Sequence, residues 1–511
     1  MQRNKTLLAG CSGLLFLLSF PPFPFGFLSP FALCLLLHLA LTSGRREAFL
    51  YGLVSGVVFN TGLLYWIPRL MESGLYVVLV IGMALLIGYL SAWVGLAAFL
   101  VRIARERSAA LALALFPFVW TAQEKARELS EMSFPWVTAG YTFGDYLPLI
   151  QFLSVGGVYC FSFLIGGTAS LLYAAWLNRK RLRAAALRLA VIVAVYGALA
   201  LYGGLRMARP QKGEPVRIAM VQANVDQRVK WVPSFTDSVV TLQKNLAIRA
   251  AQDKPDLIVW SESALPFYFL QRIRYRLAVQ SLIDSLNIPL IFGSLDYRNN
   301  DSRTKPYDFY NSVFYYRPEE ALFRKYDKIR LVPFSEMLPF EGLFPIISRV
   351  DLGEADFSSG DSLTLFDFRG KRLFTPICYE VVYPGFIRSF VRKGGGLMVH
   401  LTNDGWFGRS GMPFQHANIT RFRAVENGIP VAQCANTGVS CFIDPFGRIS
   451  PRTRIFTCAV LTSEINAAPV PTFYTRHGDW TGWLCIAITL LYFIFNAYGK
   501  KRRNHTLSEK A

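Results

Sequence analysis

The placement of charge along this 511-residue chain constrains its fold more than any other feature. Apolar runs free of charge occupy about 6–20, 27–42, 48–68, 75–101, 108–123, 148–178, 189–205 and 480–499. Several reach the ~20 residues that a helix needs to cross the hydrocarbon of a bilayer. They predict an integral membrane domain of eight transmembrane helices, seven before residue 210 and one near the end. Only 17% of residues are charged, against the ~25% of an ordinary soluble protein, which excludes a disordered or wholly soluble chain. The first two runs are short, and the Pro/Phe-rich break Pro21–Gly26 predicts that they form a tight hairpin within the bilayer.

The net charge of +20 raises the question of nucleic acid. Residues 210–480 hold 32 Lys and Arg against 26 Asp and Glu, whereas the other 240 residues hold 22 against 8. The excess thus sits beside the apolar runs, where it reports topology and contact with anionic lipid; nucleic-acid binding is rejected. With eight spans, one set of loops carries Arg3/Lys5, Arg45/Arg46, Arg102/Arg105/Arg107, Arg179–Arg183 and Lys500–Arg503. The opposite set carries Arg69 and the mixed stretch Glu124–Glu131. The positive-inside rule then places both termini in the cytoplasm and residues 210–480 across the membrane. The expected organisation is transmembrane helices over 1–209, an extramembrane catalytic domain over 210–479, a last span over 480–499 and a basic tail over 500–511. Leu8–Cys11 imitates a lipoprotein cleavage box, but too few apolar residues precede it for an h-region of about 7–15. Gly52 and Gly56 read as a close helix contact.

From Pro215 onward short β-rich runs alternate with polar helical stretches. The strands are expected at Val216–Val225, Asp256–Trp260, Pro289–Leu295, Asn311–Tyr316, Arg372–Ile377, Gly396–Thr402, Val431–Ala435 and Ser440–Ile443, with helices such as Phe235–Gln252 and Tyr268–Leu286. This is the pattern of a layered α/β domain with one core.

Three segments bring reactive side chains to strand ends, where such domains place their sites. Glu262 emerges from the apolar run ending at Trp260, Lys328 opens the segment running to Glu336, and Cys378 follows Thr375–Ile377. Singly, Glu262 reads as a cap and Lys328 as surface. Together they make chemical sense, because a thiol near pKa 8.5 needs a base, a buried carboxylate can be one, and a lysine favours the thiolate and can donate to an oxyanion. A Cys–His arrangement through His400 or His416 is a further possibility. The nucleophile-elbow, P-loop and dinucleotide-binding glycine motifs are all absent from the sequence, which removes serine-hydrolase, nucleotide-triphosphatase and Rossmann readings. Of eight cysteines, Cys11, Cys34, Cys160 and Cys485 fall in predicted membrane helices, while Cys434, Cys441 and Cys458 read as core residues. A disulfide among the last three stays open. No Cys/His spacing suits structural zinc, and no metal or organic cofactor is implied.

The Trp-x-Glu, Lys-x-x-Leu-Val-Pro-Phe-x-Glu and Cys-Tyr-Glu series, here ending on Glu262, Glu336 and Glu380, resembles the carbon–nitrogen hydrolase (nitrilase) superfamily. With seven spans before the domain, one after it and the loop Asn403–Gly408, the whole chain resembles the membrane-bound, lipoprotein-maturing acyltransferase branch of that superfamily. The resemblance implies an αββα sandwich with Glu262 as general base, Lys328 as oxyanion stabiliser and Cys378 as nucleophile. It also implies supporting or substrate-binding roles for Trp231, Glu336, Tyr379, Glu380 and Trp406. Ser335 stands where the family often has glycine, a small change.

The implied donor is a phospholipid, acylating Cys378 preferentially from the sn-1 position. The implied acceptor is the α-amine of S-diacylglyceryl-cysteine at an apolipoprotein N-terminus. The enzyme would sit as a monomer in the bacterial inner membrane with its site in the periplasm. Extracting an acyl chain from a bilayer costs about 0.8 kcal/mol per CH₂, so chemistry on such a substrate belongs at the membrane surface. Trp231, Phe267/Tyr268, Phe340–Phe344 and Trp406/Phe407 are then candidates for lid or access elements. The competing reading is a membrane-anchored amidase acting on a small amide; a transport role finds little support, since charges within the apolar runs are nearly absent.

Overall fold

The computed structural model describes residues 2–68, 76–211, 213–300, 306–318, 320–340, 357–466 and 468–508. The loop charge Arg69, the segment 341–344 of the expected access region and the side chains of the basic tail lie outside the described residues. The chain divides into two compact units, one of Met1–Tyr65, Ile81–Gly203 and His477–Ala511, the other of Trp66–Val80 and Gly204–Arg476.

The first unit is helical. Its helices are Gln2–Leu18, Ser29–Thr42, Arg45–Leu63, Tyr76–Arg105, Ala109–Ala126, Leu153–Leu177, Leu182–Met207 and Trp480–Ser508, with shared ends where the units meet in sequence. Each expected apolar run overlaps one of them. Among the described residues, four segments are long and apolar enough to cross a membrane, namely Val80–Arg105, Leu153–Leu177, Leu182–Met207 and Trp480–Tyr498. The first two helices are shorter, as the hairpin reading expected, and the third and fifth dilute their apolar character with Arg45, Arg46 and Glu47 or with Glu124 and Lys125.

Small residues let these helices approach. A Cβ on Gly52 would lie 2.8 Å from the Cα of Gly95, and one on Gly56 would lie 2.7 Å from the Cα of Ser91, so the glycine pair does serve close packing. One expectation needs correction: Glu124–Glu131 is not simply an exposed loop. The helix runs to Ala126 and buries Glu124 and Lys125. Lys125 Nζ lies 2.7 Å from Glu128 and 2.9 Å from Asp479, since a buried ammonium is tolerated only when paired.

The second unit holds two sheets. The first has the order β13-β1-β2-β4-β5-β6, with β3 beside β4; these are β1 Pro215–Gln222, β2 Leu257–Trp260, β3 Leu265–Tyr268, β4 Leu290–Asn299, β5 Tyr307–Tyr316, β6 Arg324–Asp327 and β13 Ala459–Asn466. The second has the order β12-β11-β10-β9-β8-β7, from β7 Phe366–Phe368, β8 Lys371–Phe374, β9 Leu397–Thr402, β10 Val431–Ala435, β11 Cys441–Ile443 and β12 Ile449–Arg452. The centres of both sheets are parallel and read as continuous apolar runs because both faces are covered.

The amphipathic helices Thr236–Ala251 and Ile273–Leu286 bury Val239, Leu246, Val279 and Leu282 against Val221, Ile258, Trp260 and Phe292. The helix Pro384–Arg392 stacks Phe390 on Phe374 of β8 at 4.8 Å. The two sheets meet face to face, with Cys434 of β10 lying 3.5 Å from the carbonyls of Val221 and Val259. This is a four-layer arrangement, helices outside and sheets inside. Cys434 and Cys441 are buried free thiols, whereas Cys458 is exposed and precedes β13, so it is not the core residue the sequence suggested.

Candidate active site

Glu262 is delivered by β2, whose four residues are all buried and end at Trp260. The chain then turns sharply, with Ser263 at φ +46°, across the face of Gly293 in β4. A Cβ on Gly293 would lie 2.5 Å from Ser263 N and 2.7 Å from the Cα of Glu262, so only glycine allows this approach. On the neighbouring strand β5, the amide of Asn311 donates to Glu262 Oε1 at 2.9 Å.

Lys328 follows β6 directly and is buried, its own N–H held by the Asn311 carbonyl at 2.9 Å. Its ammonium lies 2.8 Å from Glu336 Oε1 and 3.8 Å from Glu262 Oε1, bridging the two carboxylates. Glu336 is oriented by the Val332 N–H, which donates to Oε2 at 2.9 Å. Burial acts to push Lys328 down, but Glu336, Glu262 and Cys378 outweigh it and hold the group firmly protonated. Burial likewise pushes Glu262 above the ordinary carboxylate range, opposed by Lys328.

Cys378 opens a short 3₁₀ turn, Cys378–Val382, after β8 and sits at φ +47°. Burial and the nearby Glu262 push its thiol well above the ordinary value, and Lys328 pulls the other way. The three groups thus act on one another electrostatically. A raised carboxylate beside a raised thiol can take its proton, and the fixed cation favours the thiolate that results.

Glu380 supplies the frame. Its Oε1 accepts from the Tyr326 hydroxyl (2.7 Å), Ile329 N–H (2.7 Å) and Arg330 N–H (3.0 Å), and its Oε2 from Ile377 N–H (2.8 Å). One carboxylate therefore ties the backbone following Lys328 to the residue preceding Cys378. Burial pushes this group up, against the pull of those donors; because four donors meet two oxygens, the ionised form is the one that satisfies all of them.

The remaining expected residues lie on turns of the same α/β unit. Tyr379 is buried with its ring edge-on to Tyr383 at 5.6 Å. Trp231 ends the turn Gln227–Lys230, and Trp406 is 41% exposed in the turn Asp404–Phe407. The two turns are joined by Gln227, whose amide donates to Asn403 Oδ1 at 2.8 Å and accepts from Asn403 at 3.1 Å. Phe407 meets Trp66 edge-on at 4.8 Å. Phe267 and Tyr268 both pack into the fold. Phe267 is buried, and the Tyr268 ring packs among Tyr297 and Phe309 at 5.2 and 5.5 Å.

The Cys–His possibility is also corrected, since His400 and His416 both address the backbone oxygen of Cys378. Sequence reasoning missed Asn311 and also Lys230, a buried lysine 3.4 Å from the Glu262 carbonyl that burial pushes down to about 7. Nothing short of the folded contacts singles out either.

Residues 12–172 match the family model described as apolipoprotein N-acyltransferase N-terminal domain, and residues 217–471 match the carbon–nitrogen hydrolase model. Among curated relatives, the apolipoprotein N-acyltransferase of Geobacter metallireducens is 36% identical over 95% of this chain and 94% of its own. The enzymes of that name from Chlorobaculum tepidum (29%, 93% of each chain) and Pseudomonas syringae (32%, 89% of this chain and 87% of its own) are similar. Solved structures that resemble the α/β unit include Saccharomyces cerevisiae Nit3 (18% identity, 51% of this chain and 93% of that one, TM-score 0.38) and a Nesterenkonia amidase (16%, 52% and 95%, TM-score 0.40). A nitrilase-like α/β unit joined to apolar helices, with similarity to these enzymes over nearly the full length, makes the chain a member of the apolipoprotein N-acyltransferase family and an acyltransferase.

Proposed function

We propose that the protein moves a fatty acyl group from a phospholipid to the N-terminal amine of a diacylglyceryl apolipoprotein, through a thioester on Cys378. Glu262 takes the thiol proton, and the thiolate attacks the carbonyl carbon of the phospholipid ester, preferentially at sn-1. Lys328 and backbone N–H groups stabilise the oxyanion. The intermediate collapses, the ester C–O bond breaks, Glu262 returns the proton to the departing oxygen, and lysophospholipid leaves. The α-amine of S-diacylglyceryl-cysteine then attacks the thioester, loses its proton to Glu262, and expels the thiol as the amide forms.

Glu336 fixes Lys328 between the two carboxylates, Glu380 and Tyr379 shape the nucleophile turn, and Trp231 and Trp406 contact substrate. No metal or organic cofactor enters this scheme. All eight apolar helices span the inner membrane of a bacterium with both termini in the cytoplasm, and the α/β domain of about residues 210–479 works as a monomer in the periplasm. The observation that supports the reading best is the Lys328 ammonium bridging Glu262 and Glu336 within the electrostatic reach of Cys378, in a chain of this family.

The test is to incubate the purified full-length protein with phosphatidylethanolamine in mixed micelles and measure the mass of the Cys378 peptide. A gain of one acyl chain is expected, lost in Cys378→Ala and discharged by a diacylglyceryl-cysteine peptide with a free amine. Wild-type protein without the adduct, or an adduct that survives Cys378→Ala, refutes the assignment, and turnover of a small amide without acylation would favour an amidase.

A further inference from the structure

Two imidazole rings converge on the backbone of Cys378. His400 Nε2 lies 3.1 Å and His416 Nε2 3.2 Å from its carbonyl oxygen, with the rings edge to face at 5.0 Å. Both side chains are fully buried. A carbonyl oxygen has two lone pairs and can accept from both rings. His416 is braced from behind, its Nδ1 lying 3.0 Å from Asp404 Oδ1, which also accepts the Thr402 hydroxyl at 2.8 Å. Asp404 is buried as well, and the adjoining His416 holds it below the usual carboxylate range in spite of that burial. His400 is different: its Nδ1 lies 3.2 Å from Gln433 Oε1 and 3.4 Å from Thr420 Oγ1, and burial together with His416 pushes it down to about 3.

The backbone held by these rings is strained. A cysteine at φ +47° is disfavoured and persists only where its surroundings over-determine it. Glu380 secures the turn from one side through Ile377 N–H. The imidazoles secure the other side through the carbonyl of Cys378 itself.

We propose that Asp404 and His416, together with His400, are positioning residues that clamp the Cys378 carbonyl and so hold the sulfur in its left-handed turn toward Glu262 and Lys328. This deepens the proposed function and rests on its assignment of Cys378 as nucleophile. The clamp does no proton transfer with the sulfur; the charged groups that face the thiol are Glu262, Lys328 and Asp404. It also ties the loop that carries Trp406 to the nucleophile, because Asp404 belongs to the same turn.

The experiment compares His416→Phe, which removes both ring contacts, with His416→Gln, which keeps one N–H for the carbonyl, and with Asp404→Asn, all in the full-length protein in detergent micelles. Two rates are read, acylation of Cys378 by phosphatidylethanolamine and alkylation of the same thiol by iodoacetamide. H416F should lower the maximal acylation rate about 10²-fold at unchanged half-saturating lipid, the scale expected for misplacing a reacting atom by about 1 Å. H416Q should recover to within about tenfold of wild type, and alkylation should fall in the same order.

Wild-type rates in H416F, a loss confined to half-saturation, or an H416Q no better than H416F would overturn the clamp. Should H416F not accumulate in folded form, D404N carries the test: it leaves the ring an uncharged partner and should fall between H416Q and an inactive protein, and a wild-type D404N refutes the brace. If wild-type protein fails to acylate while alkylation follows the expected order, the lipid reading falls and the clamp stands. Acylation without that order rejects the clamp alone.

Discussion

Glu380 makes the most severe test of how the site is held, because a single carboxylate fastens two otherwise separate pieces of backbone. In Glu380→Gln the amide oxygen can replace Oε1 and keep Tyr326, Ile329 and Arg330, which now donate to a neutral acceptor. The amide nitrogen must then face the Ile377 N–H, donor against donor. Hydrogen bonds to a charged partner contribute about 1.5–3 kcal/mol and neutral ones about 0.5–1.5, while an orphaned buried donor costs about 1–3. Three weakened bonds and one orphan come to about 5 kcal/mol. For a unit of this size each kcal/mol moves the melting point by about 2–3 °C, so the α/β unit should melt about 10 °C lower. The assay is thermal unfolding of detergent-purified protein by circular dichroism, with iodoacetamide labelling of Cys378 below the transition. Labelling should slow as the turn loosens. A melting point within about 2 °C of wild type would show that the carboxylate is already protonated and that the four-donor argument is wrong.

Acyl-enzyme formation should fall as pH drops through the raised pKa of Glu262, where the base becomes protonated. Asn311→Leu should move that limb to higher pH, since the Asn311 amide favours the charged carboxylate; a stationary limb in a pH–rate series would contradict it. Lys230 has a folded value of about 7 against an unfolded one near 10.4, so between these limits the unfolded chain holds a proton that the folded chain lacks. Stability should therefore rise with pH from about 7 to about 10, and Lys230→Met should remove that slope in melting curves taken across the window; parallel curves for the two proteins would refute it. Gly293→Ala places a methyl against the backbone of Glu262 and Ser263. It should cut acylation about tenfold or more through displacement of the base, and a fully active variant would mean that the turn yields freely.

The parts of this protein that were legible in its sequence are those whose signal is local. Buried parallel strands such as Leu257–Trp260 and Val431–Ala435 appear as apolar runs, and β10 falls on its expected residues. Glu262, Lys328 and Cys378 were legible as candidates because each stands in a recognisable motif, and the structure brings Lys328 to 3.8 Å from Glu262. β6 was missed because Arg-Lys-Tyr-Asp is charged; its basic residues reach carboxylates, Lys325 to Asp296 and Arg324 to Glu320. Strand β3 was missed, and its last residue, Tyr268, was placed at the start of a helix that begins only at Ile273. Asn311, Lys230 and Asp404 were out of reach for a different reason. What each does depends on a partner that only folding brings near, 49 residues away for Asn311 and 32 for Lys230. Charge within the helical unit was misjudged for the same reason, since Lys125 finds Asp479 across 354 residues.

The last strand of the α/β unit lies beside its first, with Pro215 opposite Asn466 and Gln222 opposite Ala459. The polypeptide therefore arrives at this sheet and departs from it at one edge, a single strand's width apart. The stretch from Pro215 to Asn466 is thus close to a cassette, a loop of chain that is entered and left at paired positions. Replacing it by a few glycines and serines should accordingly leave the flanking helices able to insert, and grafting another nitrilase-like sheet onto the same two stems becomes a practical route to exchanging the chemistry while retaining the anchor.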